Sequence, residues 1–184
     1  MIYSFDYDLI NKNIPVQTVK SDGSFSYTDC CLCDFHIDNK NFDNNSSIKE
    51  ICKNFAFDKT IITELKHQPI VHYNATPKFF ALTTANAMAH TFYIPKDILA
   101  IAFFWTRDTS QPVWLECFEV NESFRYYATS KKFTHVGTTA ISALKDVYKN
   151  QGILGEAMAG VVPFWLKNNF KVINGLVLGW DAQR

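Results

Sequence analysis

The feature that most constrains this chain is the run Ile98-Leu99-Ala100-Ile101-Ala102-Phe103-Phe104-Trp105, which contains no polar side chain. It is far too short to cross a bilayer as a helix, which needs about 20 apolar residues. Successive strand side chains point to opposite faces, so an unbroken apolar run reads as a buried strand. Arg107 closes it, Asp108-Thr109-Ser110-Gln111 is a short turn, and Pro112 opens a second strand over Val113–Val120. A turn this short joins antiparallel neighbours, so the two strands are expected to pair.

The rest of the chain divides by texture near residue 75. The first part is polar and Asn-rich, with Ser21-Asp22-Gly23-Ser24 as a turn between two strand-like segments, a hairpin or meander signal. Ser47 with Glu50 resembles a capping box, so helices are expected at about 48–56 and 59–67, the second stopped before Pro69. Beyond residue 75, Phe79–Thr84 reads as a strand. Thr138–Asn150 reads as a helix with Ile141, Leu144, Val147 and Tyr148 on one face, ended by Gly152. Ile153–Met158 is a short strand, Pro163–Asn169 a short helix and Lys171–Trp180 a final strand. The order in the second half is β-β-α-β-α-β, and the class is mixed α/β.

Lys and Arg total 18 and so do Asp and Glu, so the chain has no net charge. Nucleic-acid binders usually carry a clustered basic excess, and none is expected to bind here. With 184 residues, against about 150 per domain, a single domain over 1–184 is expected. Residues 1–13 lack the basic and apolar regions of a secretory signal, so a cytoplasmic, soluble protein without a membrane anchor is expected. Reduced thiols follow for Cys30, Cys31, Cys33, Cys52 and Cys117. Asp29-Cys30-Cys31-Leu32-Cys33-Asp34-Phe35-His36 offers metal-ligand types but lacks the second separated pair that zinc requires. On a strand, Cys31 and Cys33 would share a buried face with Tyr27, Phe35 and Ile37, so no metal is expected. A thiol or metal protein is the weakest of the competing readings.

Aromatic residues make up 15% of the chain, which points first to a Phe-rich core and second to a pocket for something flat or apolar. One stretch carries chemistry more directly: the strand Val113–Val120, a loop, then Gly137 at a helix start. A helix N-terminus can hold a phosphate, and Lys131 and Lys132 lie just before it.

These segments resemble the GNAT superfamily of N-acetyltransferases. In that family a strand feeds an Arg/Gln-x-x-Gly-x-Gly/Ala loop around the acetyl-CoA pyrophosphate. Lys132-Phe133-Thr134-His135-Val136-Gly137 is similar to it, with Lys132 where Arg or Gln is expected and His135 in place of the first glycine. The strand Leu115-Glu116-Cys117-Phe118-Glu119-Val120 resembles the family's apolar strand before that loop. Pro163-Phe164-Trp165-Leu166-Lys167-Asn168-Asn169-Phe170 is similar to its Pro-Phe-Tyr-x-x-x-Gly-Phe segment. Arg125 offers an alternative start for the loop, but no glycine follows it, so the later loop is preferred.

The resemblance covers residues 98–180 and implies a GNAT-like, mostly antiparallel mixed sheet flanked by helices, with residues 1–75 as a divergent, strand-rich part. It implies acetyl-CoA as co-substrate, contacted by Phe118, Val120, Lys132, Phe133, Thr134, His135, Val136, Gly137, Thr138 and Trp165. A primary amine of a small molecule or peptide would be the acceptor, and a homodimer is compatible. Candidate bases are Glu116, Glu119 and Glu156; regular alternation puts Glu116 and Glu119 on opposite faces. Trp165 stands where the family's thiolate-protonating tyrosine is expected, and an indole cannot donate that proton. A catalytically degenerate CoA-binding or interaction module is therefore the alternative.

Overall fold

The computed structural model describes residues 3–4, 7–35, 55, 75–84, 91–92, 97–124 and 132–181. Strand β1 (Tyr3–Ser4) pairs with β5 (Thr91–Phe92) in a small separate sheet. Among the described residues the main sheet has nine strands: β2 (Tyr7–Val19), β3 (Phe25–Phe35), β4 (Thr76–Thr84), β6 (Ile98–Thr106), β7 (Val113–Val120), β8 (Phe133–Thr134), β9 (Ile153–Glu156), β10 (Lys171–Asn174) and β11 (Val177–Trp180). Their order is β10-β11-β9-β7-β6-β4-β3-β2-β8, antiparallel throughout except where β7 meets β9. Among the described residues two α-helices follow β7 in sequence: α1 (Val136–Val147) and α2 (Val162–Lys167). This is the mixed, mostly antiparallel sheet with flanking helices that the sequence leads one to expect.

The apolar run is β6, and its burial explains its composition. Leu99, Ala100, Ala102 and Phe104 face a first core that includes Ala140, Ile141 and Leu144 of α1. Ile98, Ile101, Phe103 and Trp105 face a second core with Cys31, Cys33, Phe35 and Phe55. A strand with a core on each side can carry no polar alternation. The turn at 108–111 makes β6 and β7 an antiparallel pair, and the Gly23 turn makes a long hairpin of β2 and β3, with Gly23 at φ 80°.

The main sheet curls. Phe133 lies in the edge strand β8, yet its ring stands 5.3 Å from that of Phe124, just past the end of β7. Four strands separate β8 from β7 in the sheet order, so curvature of the sheet, with the chain running on past β7 to Phe124, brings these rings together. On the first-core face α1 packs against β2, β6 and β7.

Several expected boundaries shift. β4 begins at Thr76, three residues before Phe79. α1 begins at Val136, not Thr138, so Gly137 sits inside its first turn and His135 is the N-cap. Gly152 does not end the helix, whose C-cap is Tyr148. At φ 85° it closes the following turn by donating its N–H to the Tyr148 carbonyl at 3.0 Å. Lys171–Trp180 is not one strand but a hairpin, turned by Gly175 at φ 55°. Tyr27 does not join the buried cysteines but is 69% exposed, because β3 runs on past the end of β4. The helices expected at 48–56 and 59–67, with Ile37 and Cys52, lie outside the described residues. Among the described residues no helix is long and apolar enough to cross a membrane.

Candidate active site

The parallel junction in the main sheet creates the site. β7 and β9 are in register for three pairs, Val113↔Ile153, Trp114↔Leu154 and Leu115↔Gly155, and the register ends there while β7 runs on to Val120. Gly155 makes the last close approach possible. A Cβ on it would lie 2.8 Å from the Leu115 carbonyl oxygen, closer than a carbon and an oxygen can pack. Beyond this pair lies a cleft lined by Leu115, Glu116, Cys117 and Phe118 of β7, Gly155, Glu156 and Ala157 at the end of β9, and Trp165, Phe170 and Leu178. Its cavity is about 30 Å³.

The back wall is aromatic. Trp165 packs 5.7 Å from Phe118, 5.2 Å from Phe164 and 5.0 Å from Phe170, centroid to centroid. Phe118 and Phe164 stack 6.0 Å apart at 12°. Short α2 carries this wall because Pro163 fits its first turn, and Asn169 at φ 60° takes the left-handed turn that brings Phe170 back.

The β7 carboxylates are arranged by a bulge. Phe103 pairs with Cys117 but Phe104 pairs with Leu115, so Glu116 is an extra residue in β7. The bulge resets the alternation. Glu119 lies opposite Ile101, a second-core residue. Glu116 accepts a 3.1 Å bond from the indole N–H of Trp114, which also packs on the second core. Glu116 and Glu119 therefore share a face, against the expectation of opposite faces. Glu116 and Glu156 line the cleft, and Glu119 stands further along β7.

The residues leading into α1 split in two. Phe133 and Val136 are buried in the first core, on which Phe118, Val120 and Trp165 also pack. Phe133 and Thr134 form the edge strand, and the Thr134 hydroxyl donates to Gln17 Oε1 at 2.8 Å. Lys132 and His135 are exposed. His135 has φ 55° and ψ 21°, left-handed values that suit a glycine, at the position where the loop pattern asks for one. Gly137 is packed tightly: a Cβ there would meet Phe164 at 3.2 Å and Val120 at 3.3 Å. This contact seats the first turn of α1 against the end of β7 and the aromatic wall. Phe118, Val120, Trp165 and Gly137 thus come together, while Lys132 and Thr134 stand toward the β8 edge. Lys131 and Arg125 lie outside the described residues.

The cysteine cluster is a packing feature. Cys30, Cys31 and Cys33 are buried, and burial pushes the Cys30 thiol to about 12 and the Cys33 thiol to about 11. Among the described residues no group of three or more His, Cys, Asp or Glu could hold a metal ion.

Sequence reasoning missed Gly155, Trp114 and the lining residues Cys117, Ala157 and Leu178. A glycine inside an apolar strand was the available signal for close backbone approach. Nothing in the local pattern announces a bulge.

No protein-family model matches the chain, and no curated protein matches it. Solved structures do. The crystal structure of Tetrahymena GCN5 superposes with a TM-score of 0.51 at 12% identity, covering 97% of this chain and 96% of that one. Nourseothricin acetyltransferase gives 0.43 at 8% identity, covering 98% and 100%. The PaiA N-acetyltransferase from Thermoplasma acidophilum, in complex with coenzyme A, gives 0.44 at 10% identity, covering 80% and 96%. The superposition on Tetrahymena GCN5 shows that this chain shares that protein's fold, a mixed sheet that here has its one parallel junction among the described residues at β7 and β9.

Proposed function

We propose that the protein is an acetyl-CoA-dependent N-acetyltransferase acting on a primary amine of a small molecule or peptide. The observation that carries this reading is the parting of β7 and β9 after Leu115 and Gly155, over a cleft walled by Trp165 and Phe170. A cavity of about 30 Å³ suits an acetyl-sized group and not a whole thioester cofactor, whose arm would lie along the open part of the parting strands. The first turn of α1, seated on Val120 and Phe164 by Gly137, supplies helix N-terminal N–H groups for the cofactor's phosphates. Lys132 and His135, both exposed, are the nearby described side chains that could join them.

The chemistry follows from the cleft lining. The amine must lose a proton before attack, and Glu116 is the carboxylate on β7 that lines the cleft, with Glu156 facing it from β9. Glu116 first takes one proton from the ammonium. The neutral amine nitrogen then bonds to the thioester carbon, the carbon–sulfur bond breaks, and the second N–H proton passes through water to the departing thiolate, which Trp165 cannot protonate. Much of the rate would come from holding amine and thioester together.

The assay is CoA release with acetyl-CoA and a panel of amines. Sustained release, lowered about 100-fold in Glu116→Gln, is the expected result. CoA binding without turnover on any amine would favour the alternative that Trp165 motivates, a degenerate CoA-binding or interaction module.

A further inference from the structure

Resting on the acetyl-transfer reading of the cleft, we infer that Lys145 is a positioning residue for acetyl-CoA: from outside the cleft it ties α2 and Phe170 to α1, so that the aromatic wall and the first turn of α1 meet one ligand together. Helix α2 is six residues long, too short to hold a position by its own hydrogen bonds. Its first half is seated by Phe164, whose ring lies 3.2 Å from where a Cβ on Gly137 would stand. Its C-terminal end is tied by Lys145, in the last turn of α1. The Lys145 ammonium donates to the backbone carbonyl of Asn168, the C-cap of α2. It also lies 4.9 Å from the ring centroid of Phe170 and 5.0 Å from that of Trp180 on β11.

The carbonyl it meets is one that α2 leaves over. The backbone N–H groups of Asn168, Asn169 and Phe170 bond back to the carbonyls of Phe164, Trp165 and Leu166. The Asn168 carbonyl lies past the last of these, in a residue only 7% exposed, and the ammonium is its partner. The ring contact then reaches the cleft, because Phe170 lines it and packs 5.0 Å from Trp165, which lines it too.

The placement is unfavourable for a lysine unless its charge is used. Burial holds the Lys145 amine below the usual lysine range, and among the described residues no carboxylate pairs with it. A methionine would fill the same space with no charge to desolvate. What the ammonium alone adds is attraction to a carbonyl and two ring faces, on three separate elements. Ties at Gly137 and Lys145, about 12 Å apart along α1, fix the tilt of α2, which a single tie would leave free to rock. A ligand that touches both the first turn of α1 and the wall binds more tightly when the two are held in register beforehand.

The test is isothermal titration calorimetry of acetyl-CoA with the full-length protein, Lys145→Met and Lys145→Arg, and the melting temperature of each without ligand. Kd should rise about tenfold in Lys145→Met, which keeps the stem and loses the charge, and less than about threefold in Lys145→Arg, which keeps charge and donors. A lysine that only supports the fold would lower the melting temperature of Lys145→Met and leave Kd unchanged, and that result overturns the inference. An equal rise in both variants also overturns it, since the loss would follow the shape of the side chain and not its charge. If Lys145→Met does not fold, Lys145→Gln takes its place. A rise of at least about threefold is then expected, and an unchanged Kd overturns the inference. Each of these contrary results leaves the acetyl-CoA reading standing. No binding of acetyl-CoA to the unaltered protein overturns that reading and the inference with it.

Discussion

Replacing Gly155 by Ala tests the junction on which the site depends. The added Cβ would sit 2.8 Å from the Leu115 carbonyl oxygen and 3.3 Å from the Leu115 Cβ. The nearer atom is backbone, in a strand held on its other edge by β6, so relief requires β7 and β9 to separate. Overpacking of this kind costs about 1–3 kcal/mol. Against it stands the smaller entropy of an unfolded chain with Ala in place of Gly, about 0.4–1 kcal/mol. The net loss is about 1–2 kcal/mol, and at about 2–4 °C per kcal/mol the melting temperature should fall by about 2–8 °C. Gly160 is the internal control: an added Cβ there meets nothing within 4 Å, so Gly160→Ala should melt at or slightly above the parent temperature. The assay is thermal unfolding followed by circular dichroism on the three proteins side by side. Gly155→Ala melting with Gly160→Ala, within about 1 °C, would refute the close approach and the account of how the cleft forms.

Three other outcomes follow from the same structure. Lys78 Nζ lies 2.6 Å from Asp34 Oδ2, whose side chain is only 6% exposed, so Lys78→Met should destabilise by about 1–3 kcal/mol in a denaturant titration. The double variant with Asp34→Asn should recover part of that loss. With their thiols pushed to about 12 and 11 by burial, Cys30 and Cys33 hold almost no thiolate at pH 8, so iodoacetamide followed by mass spectrometry should find both unlabelled until denaturant is added. Labelling of either in the folded protein would contradict the β3 packing. His135→Val places a β-branched residue at φ 55° and should lower stability by about 1–2 kcal/mol, whereas His135→Gly should not.

Much of the fold could be read from single residues. The unbroken run at 98–105 read as a buried strand, and the Asp108 and Gly23 turns announced their hairpins; that it lies between two cores came from the structure. Other features depended on contacts between distant segments. The bulge at Glu116 arises from the register of β7 against β6, and it inverted the expected relation of Glu116 to Glu119. The burial of Phe133 and Val136 follows from the curl of the sheet, which local periodicity does not encode. The turn at Gly175 was a different case, since Asn174-Gly175 is a strong hairpin signal inside an apolar stretch that otherwise reads as continuous. His135 shows how a departure from a motif can preserve its backbone: the glycine is gone but the left-handed conformation remains.

The most direct test of the central claim is the melting temperature of the purified protein with and without saturating acetyl-CoA. A ligand bound only by the folded state at about 100 times its Kd adds about 2.7 kcal/mol. For a chain of this length that corresponds to a rise of about 5–11 °C, which is the predicted result. An unchanged melting temperature at millimolar acetyl-CoA would contradict the assignment of the β7–β9 cleft as an acetyl-CoA site.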